Sequence, residues 1–162
     1  MPIEIEKKYL VKDKTYKQLA VGVSYRQGYL NRDKERTVRI RVAGEEAFIT
    51  IKGLTRGIER LEFEYPISIV EANEMLNLLC EKPIIEKYRY SFYLDGHEWE
   101  VDEFSGDNEG LVIAEVELDT TDELVNLPGW IGKEVTGDPR YYNSSLGVEP
   151  FRRWKENTGK TS

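Results

Sequence analysis

Residues 4–10 read EIEKKYL, with Glu4, Glu6 and Lys8 at every second position and Ile5 and Tyr9 between them. Successive side chains of an extended chain point to opposite faces, so these three charges, of both signs, would share one face of a strand. The same parity runs through most of the sequence. Arg39 and Arg41 oppose Val38, Ile40 and Val42, while Thr50 and Lys52 oppose Ile49 and Ile51. Arg60, Glu62 and Glu64 oppose Leu61, Phe63 and Tyr65; Lys87 and Arg89 oppose Tyr88 and Tyr90. Glu98, Glu100 and Asp102 oppose Trp99 and Val101, and Glu115 and Glu117 oppose Ala114, Val116 and Leu118. Lys7, Arg36, Glu86 and Glu103 break the rule on the apolar side.

This alternation predicts eight strands, near residues 2–10, 25–31, 36–43, 46–53, 59–67, 84–94, 97–104 and 111–119. The connections AGE, GLTRG, LDGH and SGDNEG read as hairpin turns, so neighbouring strands should be antiparallel. Helices are few and short. In SIVEANEMLNLLC, Ser68 stands three residues before Glu71, the spacing of a capping box, and Ala72, Met75, Leu76 and Leu79 follow at helical spacing. Asp13 with Gly22, Thr120 with Glu123, and Asp138 ahead of a helix over 139–146 offer three more, and PFRRWKEN a further one. The class is α+β. Eight strands with helices outside can close into an antiparallel barrel, which leaves no free sheet edge; an open, strongly curved sheet fits the same pattern.

An ionic strand face ordinarily looks out at water. Two features pull the other way. Ser, Thr, Asn and Gln are nearly absent from these faces, and the signs are segregated by strand, acidic on some and basic on others. Each unpaired buried ion costs several kcal/mol, against a net domain stability of about 5–15 kcal/mol, so an inward ionic face must be wet, internally paired or occupied. A polyphosphate satisfies both signs: Lys and Arg neutralise its oxygens, while carboxylates hold Mg²⁺ or Mn²⁺, hard cations that prefer oxygen.

The totals narrow the field. At 162 residues the chain fits one domain, expected over 1–157 with a frayed tail at 158–162. A formal net charge of −7 argues against a general nucleic-acid binder or a protein of anionic membrane surfaces. Cys80 is the only cysteine, which excludes an internal disulfide and a multi-cysteine zinc site and points to the cytoplasm. The first residues lack a basic segment followed by an apolar run, and no stretch reaches eighteen apolar residues, so neither secretion nor membrane spanning is expected. The single histidine, His97, lies in a hairpin turn, which disfavours Ser-His-Asp catalysis and histidine-rich metal sites. The terminal GKTS imitates the end of a P-loop, but Trp154 occupies the position of its first glycine. Phosphate binding here would rest on side chains.

With these residues in view, EIEKK resembles the ExExK signature of the CYTH superfamily, the triphosphate tunnel metalloenzymes. TVRIRV resembles the family's paired-arginine strand, FITIKG its lysine strand, RLEFEYPI its second Glu-x-Glu strand and EKYRYSF its Lys-x-Arg strand. EVDEFSG resembles its acidic strand, AEVEL its last Glu-x-Glu strand, and GKEVTGDPRYYNSSL the closing segment of short bacterial inorganic triphosphatases. The resemblance covers nearly the whole chain and implies an eight-stranded closed antiparallel barrel whose ionic face lines a tunnel.

It implies metal ligands at Glu4, Glu6, Glu115 and Glu117, with Glu62, Glu64 and Asp102 as further carboxylates, and phosphate contacts from Arg39, Arg41, Lys52, Lys87 and Arg89. Lys133 is a weaker phosphate candidate, and Lys8 with Tyr29 resembles a dyad that activates water. The implied reaction is metal-dependent hydrolysis of a triphosphate, inorganic tripolyphosphate first. Thiamine or nucleoside triphosphatase and class IV adenylate cyclase share the chemistry, and a non-catalytic polyphosphate-binding module is the alternative of another kind. The apolar outer face, generous for so few helices, leaves room for a homodimer.

Overall fold

Every period-two segment forms a strand in the computed structural model, which describes residues 3–146 and residue 151. The strands are β1 (Ile3–Val11), β2 (Val23–Asn31), β3 (Thr37–Ala43), β4 (Glu46–Lys52), β5 (Glu59–Pro66), β6 (Ile85–Leu94), β7 (His97–Phe104), β8 (Val112–Glu117) and β9 (Ile131–Glu134). They pair in the order β5-β4-β3-β2-β6-β7-β8-β1, and β5 also pairs with β1, which closes eight antiparallel strands into a barrel. The open-sheet alternative is thereby set aside.

The closing seam is short. Ile3, Glu4 and Ile5 face Leu61, Arg60 and Glu59 across it. Further along the same edge of β1, the ninth strand takes over, placing Tyr9 opposite Glu134 and Val11 opposite Ile131. Between the two, Glu6 N–H reaches the Ile58 carbonyl at 3.4 Å, and Lys8 N–H donates to Thr136 Oγ1 at 2.9 Å. The chain after β9 thus completes the barrel wall at Lys8. This strand is absent from the eight that alternation predicts, because IGKE is four residues long and carries no period-two pattern. Its glycine has a steric reason: a Cβ on Gly132 would stand 3.2 Å from the Leu10 carbonyl oxygen.

The apolar core lies outside the barrel wall. Tyr9, Trp99, Val101, Ala114 and Val116 turn outward to pack with Tyr16 and Trp130. A second cluster joins α1 (Ile69–Leu78) to β3 through Ala72, Leu76, Ile40 and Val42, with the Cys80 side chain buried among them. Ser68 Oγ accepts from Glu71 N–H at 3.3 Å, the N-cap that the sequence spacing predicts. The outer side of β4 and β5 has no such cover: Ile51, Leu61, Phe63 and Tyr65 are 37–53% exposed. Among the described residues no helix is long and apolar enough to cross a membrane.

Three predicted helices fold differently. After Asp13 there is one 3₁₀ turn, Thr15–Gln18, pinned by fully buried Tyr16, whose hydroxyl donates to Glu103 at 2.7 Å. Residues 120–126 form no helix. Glu123 Oε1 instead accepts from the Asp119 and Thr120 amides, while Oε2 meets the His97 ring, so side-chain bonds satisfy backbone donors that a helix would need. The helix expected over 139–146 splits into a 3₁₀ turn, Pro139–Tyr141, and α2 (Asn143–Leu146), with Tyr142 extended between them. Asp138 does cap it, accepting from Arg140 N–H at 3.1 Å. The helix expected in PFRRWKEN and the tail at 158–162 fall outside the described residues, Phe151 excepted.

Candidate active site

The inward parity of the strands produces a cavity of about 190 Å³ inside the barrel, room for roughly six waters at their liquid volume. Six cations line it, Lys8, Arg39, Arg41, Lys52, Arg60 and Arg89, together with seven carboxylates. Glu4, Glu6, Glu115 and Glu117 are among these, from the paired neighbouring strands β1 and β8, and so are Glu62 and Glu64 of β5. Cross-strand register sets the encounters. Lys8 stands opposite Glu115 and Glu6 opposite Glu117, while Lys52 stands opposite Glu62.

Most of the cations are held by acids. Lys52 Nζ lies 3.1 Å from Glu62 and 3.2 Å from Glu4, so it ties β4 to both β5 and β1 across the seam. Arg39 reaches Glu64 at 3.6 Å and Thr50 Oγ1 at 3.2 Å. Lys8 Nζ lies 3.5 Å from Glu115 Oε1 and 5.2 Å from the centre of the Tyr142 ring. Burial alone would lower the Lys8 ammonium, yet Glu115, Glu6 and Glu4 outweigh it and push it up to about 12. Conversely, burial would raise Glu115, but Lys8 and the arginine side of the cavity hold it down at about 2.

Two carboxylates are left in excess. Glu6 is pushed well above the usual carboxylate range by burial and by Glu115 and Glu4. Glu117 is raised to about 7 by burial and by Glu100, Glu98, Glu4 and Glu62. Among the described residues, no three His, Cys, Asp or Glu side chains converge as a ready metal cage. The donor chemistry nevertheless fits Mg²⁺ or Mn²⁺. Mg²⁺ characteristically takes one or two carboxylates and completes its shell with substrate phosphates and water. Clustered acids with raised pKa are the charge pattern that a divalent cation relieves.

Lys87 and Asp102 occupy a different place from the other predicted site residues. Both side chains are buried under the wall, 0% and 3% exposed, and neither lines the cavity. Asp102 takes Lys87 Nζ and Arg89 Nε at 2.7 Å and Arg89 Nη2 at 2.8 Å. One carboxylate therefore serves two cations. Asp102 is held far below the usual carboxylate range despite its burial, by Arg89 and then Lys87. Lys87 falls to about 7 through burial and the neighbouring Arg89 and Arg41, against the pull of Asp102. The bidentate geometry makes Arg89 the principal partner of Asp102, with Lys87 Nζ sharing Oδ2 at 2.7 Å.

Tyr29 lines the cavity and contributes to holding Lys8 protonated, but Lys8 donates to no Tyr29 oxygen; its neighbours are Glu115 and Tyr142. Lys133 is exposed on β9 and lies outside the lining. The lining also holds Arg60 and Glu100, which share the parity of their strands with assigned residues, and Thr136 and Tyr142, which arrive on the segment after β9. Parity could have found the first pair. Nothing local in sequence marks the second.

The CYTH domain model matches residues 2–142. An inorganic triphosphatase of Acetivibrio thermocellus is 56% identical over 153 residues, 94% of this chain and 98% of the relative. One from Nitrosomonas europaea is 38% identical over 149 residues, 90% of this chain and 97% of its own. A crystal structure of an inorganic triphosphatase superposes with a TM-score of 0.64 at 36% identity, covering 91% of this chain and 96% of that one. A family model matched over residues 2–142, relatives aligned almost end to end, and a closed barrel with an ionic lumen agree: the chain belongs to the CYTH domain family.

Proposed function

We propose that this chain hydrolyses inorganic tripolyphosphate to pyrophosphate and phosphate with Mg²⁺ or Mn²⁺. The observation that carries this reading is the lumen itself: guanidinium and ammonium groups and a carboxylate cluster face one another inside a closed wall, the complement of a metal-bearing polyanion. The two relatives named inorganic triphosphatase support the choice of substrate.

Arg39, Arg41 and Arg89 neutralise and orient the phosphoryl oxygens. Arg89 is fixed for this by Asp102, and Arg41 by Gln27 Oε1, which accepts from its Nε at 3.0 Å. Glu4, Glu6, Glu115 and Glu117 would hold the metal. A bound Mg²⁺ or Mn²⁺ would neutralise phosphate charge in the transition state. Lys8, held as an ammonium by the metal-free acid cluster, donates to phosphate oxygen, and a carboxylate of the cluster orients the attacking water. Water attacks the terminal phosphorus in line and passes its proton to the orienting carboxylate, the bridging P–O bond breaks, and pyrophosphate departs with its new charge toward the arginines.

The test incubates the protein with tripolyphosphate, ATP or thiamine triphosphate under Mg²⁺ or Mn²⁺ and identifies the products. Pyrophosphate and phosphate from tripolyphosphate, lost on chelation, are expected. Cyclic AMP as the main product would replace this reading with a cyclase, and metal-dependent binding without turnover would replace it with a binding module.

A further inference from the structure

Of the cations that line the cavity, Arg41 and Arg60 alone lack a carboxylate within ion-pair distance among the described residues. Arg41 is buried deep in the wall and belongs to the paired-arginine strand already discussed. Arg60 has a different position. It sits on β5 at the closing seam, opposite Glu4 in register, yet bonds no acid. Its Nε donates to the Gly53 carbonyl at 2.6 Å and its Nη2 to Thr37 Oγ1 at 2.8 Å.

These two bonds lock the guanidinium plane against β3 and the β4–β5 turn while using neutral acceptors only. A guanidinium has five N–H donors, so three remain uncommitted, with the full positive charge behind them. Arg60 also lines a second, more open groove, formed with Leu54 and Arg56 of the β4–β5 turn, Glu35 and Arg36 of the β2–β3 loop, and Glu59. It therefore stands where the lumen meets the surface.

We propose that Arg60 is a substrate-contacting residue that holds the end of the polyphosphate at this mouth of the tunnel. The inference rests on the triphosphatase reading above. A preorganised planar fork with spare donors matches a phosphate oxygen pair, and the absence of an acid partner means that no ion pair must break when the anion arrives. A contact to the end of the anion that does not react stabilises ground state and transition state alike.

Steady-state hydrolysis of tripolyphosphate with Mg²⁺ tests it in the wild type, Arg60→Gln, Arg60→Lys and Thr37→Val. Loss of a charged hydrogen-bond donor should raise KM about tenfold or more in Arg60→Gln, with kcat within about threefold, the signature of lost uniform binding. Arg60→Lys, which keeps the charge without the fork, should fall between. Thr37→Val removes the tether and keeps the guanidinium, so its KM should rise much less. An unchanged KM in Arg60→Gln overturns the proposal, and so does a Thr37→Val enzyme that reproduces the whole defect, since Arg60 would then be only a brace. If Arg60→Gln folds poorly, Arg60→Lys against Thr37→Val carries the same decision. A wild type without turnover refutes the triphosphatase reading instead; metal-dependent tripolyphosphate binding, measured by calorimetry in the same variants, would then still decide whether Arg60 touches the anion.

Discussion

Lys8 of β1 stands directly across the ladder from Glu115 of β8, with its Nζ 3.5 Å from Oε1 and the Tyr142 ring on another side. Arginines crowd the cavity, but the acids nearest Lys8 prevail and keep it charged. A pH–rate profile of kcat/KM should therefore show no activation with a midpoint between pH 7 and 10 that vanishes in Lys8→Arg. Such an activation would return Lys8 to the role of base.

The excess carboxylates give a pH dependence of the opposite sense to ordinary acid denaturation. Glu6 and Glu117 have folded pKa values above their unfolded ones, so the folded state binds more protons in the interval between. Their contribution is fully present below about pH 4.5 and is lost as pH rises through the folded values, near 7 for Glu117. Glu117 is partly exposed, and solvent screening keeps its share small. Metal-free protein should lose thermal stability from about pH 5 to 7, with Glu6→Gln flattening the slope and Mg²⁺ affinity rising over the same range. Mg²⁺ binding that does not change across that interval would remove these acids from the metal site.

Asp102 is the keystone of a buried ion cluster. Asp102→Ala leaves Lys87 and Arg89 buried together, and breaking a buried pair costs about 3–5 kcal/mol. Urea unfolding should show a loss of that order, and turnover should fall with it because Arg89 loses its orientation. The folded pKa of Asp102 lies below the unfolded one, so its contribution is present above about pH 4 and disappears as pH falls through the folded value. A variant as stable as the wild type at pH 7 would contradict this.

Gly132 tests whether the segment after β9 is part of the wall. A Cβ there meets the Leu10 carbonyl, so Gly132→Val should lift β9 off β1 and withdraw Thr136 and Tyr142 from Lys8. Activity should drop about tenfold or more, as misplacement of site groups commonly does, while the far-UV signal of the eight barrel strands persists. Full activity would show that the segment is dispensable.

The eight barrel strands were legible because a half-buried strand writes its two faces into alternate residues, and Glu4-x-Glu6-x-Lys8 through Glu115-x-Glu117 do so with few exceptions, Lys7 and Glu103 among them. Parity says which residues share a face, but it carries no information on which face closes inward; the β1–β5 seam supplies that. It also cannot separate Lys87 from Arg89, which share a face although only Arg89 reaches the cavity, since depth depends on which neighbour wins the Asp102 carboxylate. Thr136 and Tyr142 were invisible because their place follows from a four-residue strand with no pattern and from a helix broken at Tyr142. The capping signature at Thr120 and Glu123 was genuine chemistry in another structure, with the side chain satisfying loop amides.

Phosphate release from tripolyphosphate by the wild type and Arg41→Ala, each with Mg²⁺ and with a chelator, bears on the inward ionic face most directly. Metal-dependent turnover in the wild type is expected, falling about 100-fold or more in Arg41→Ala as for a lost transition-state donor, with the fold retained. An Arg41→Ala protein that matches the wild type would mean that the chemistry happens somewhere other than the barrel lumen.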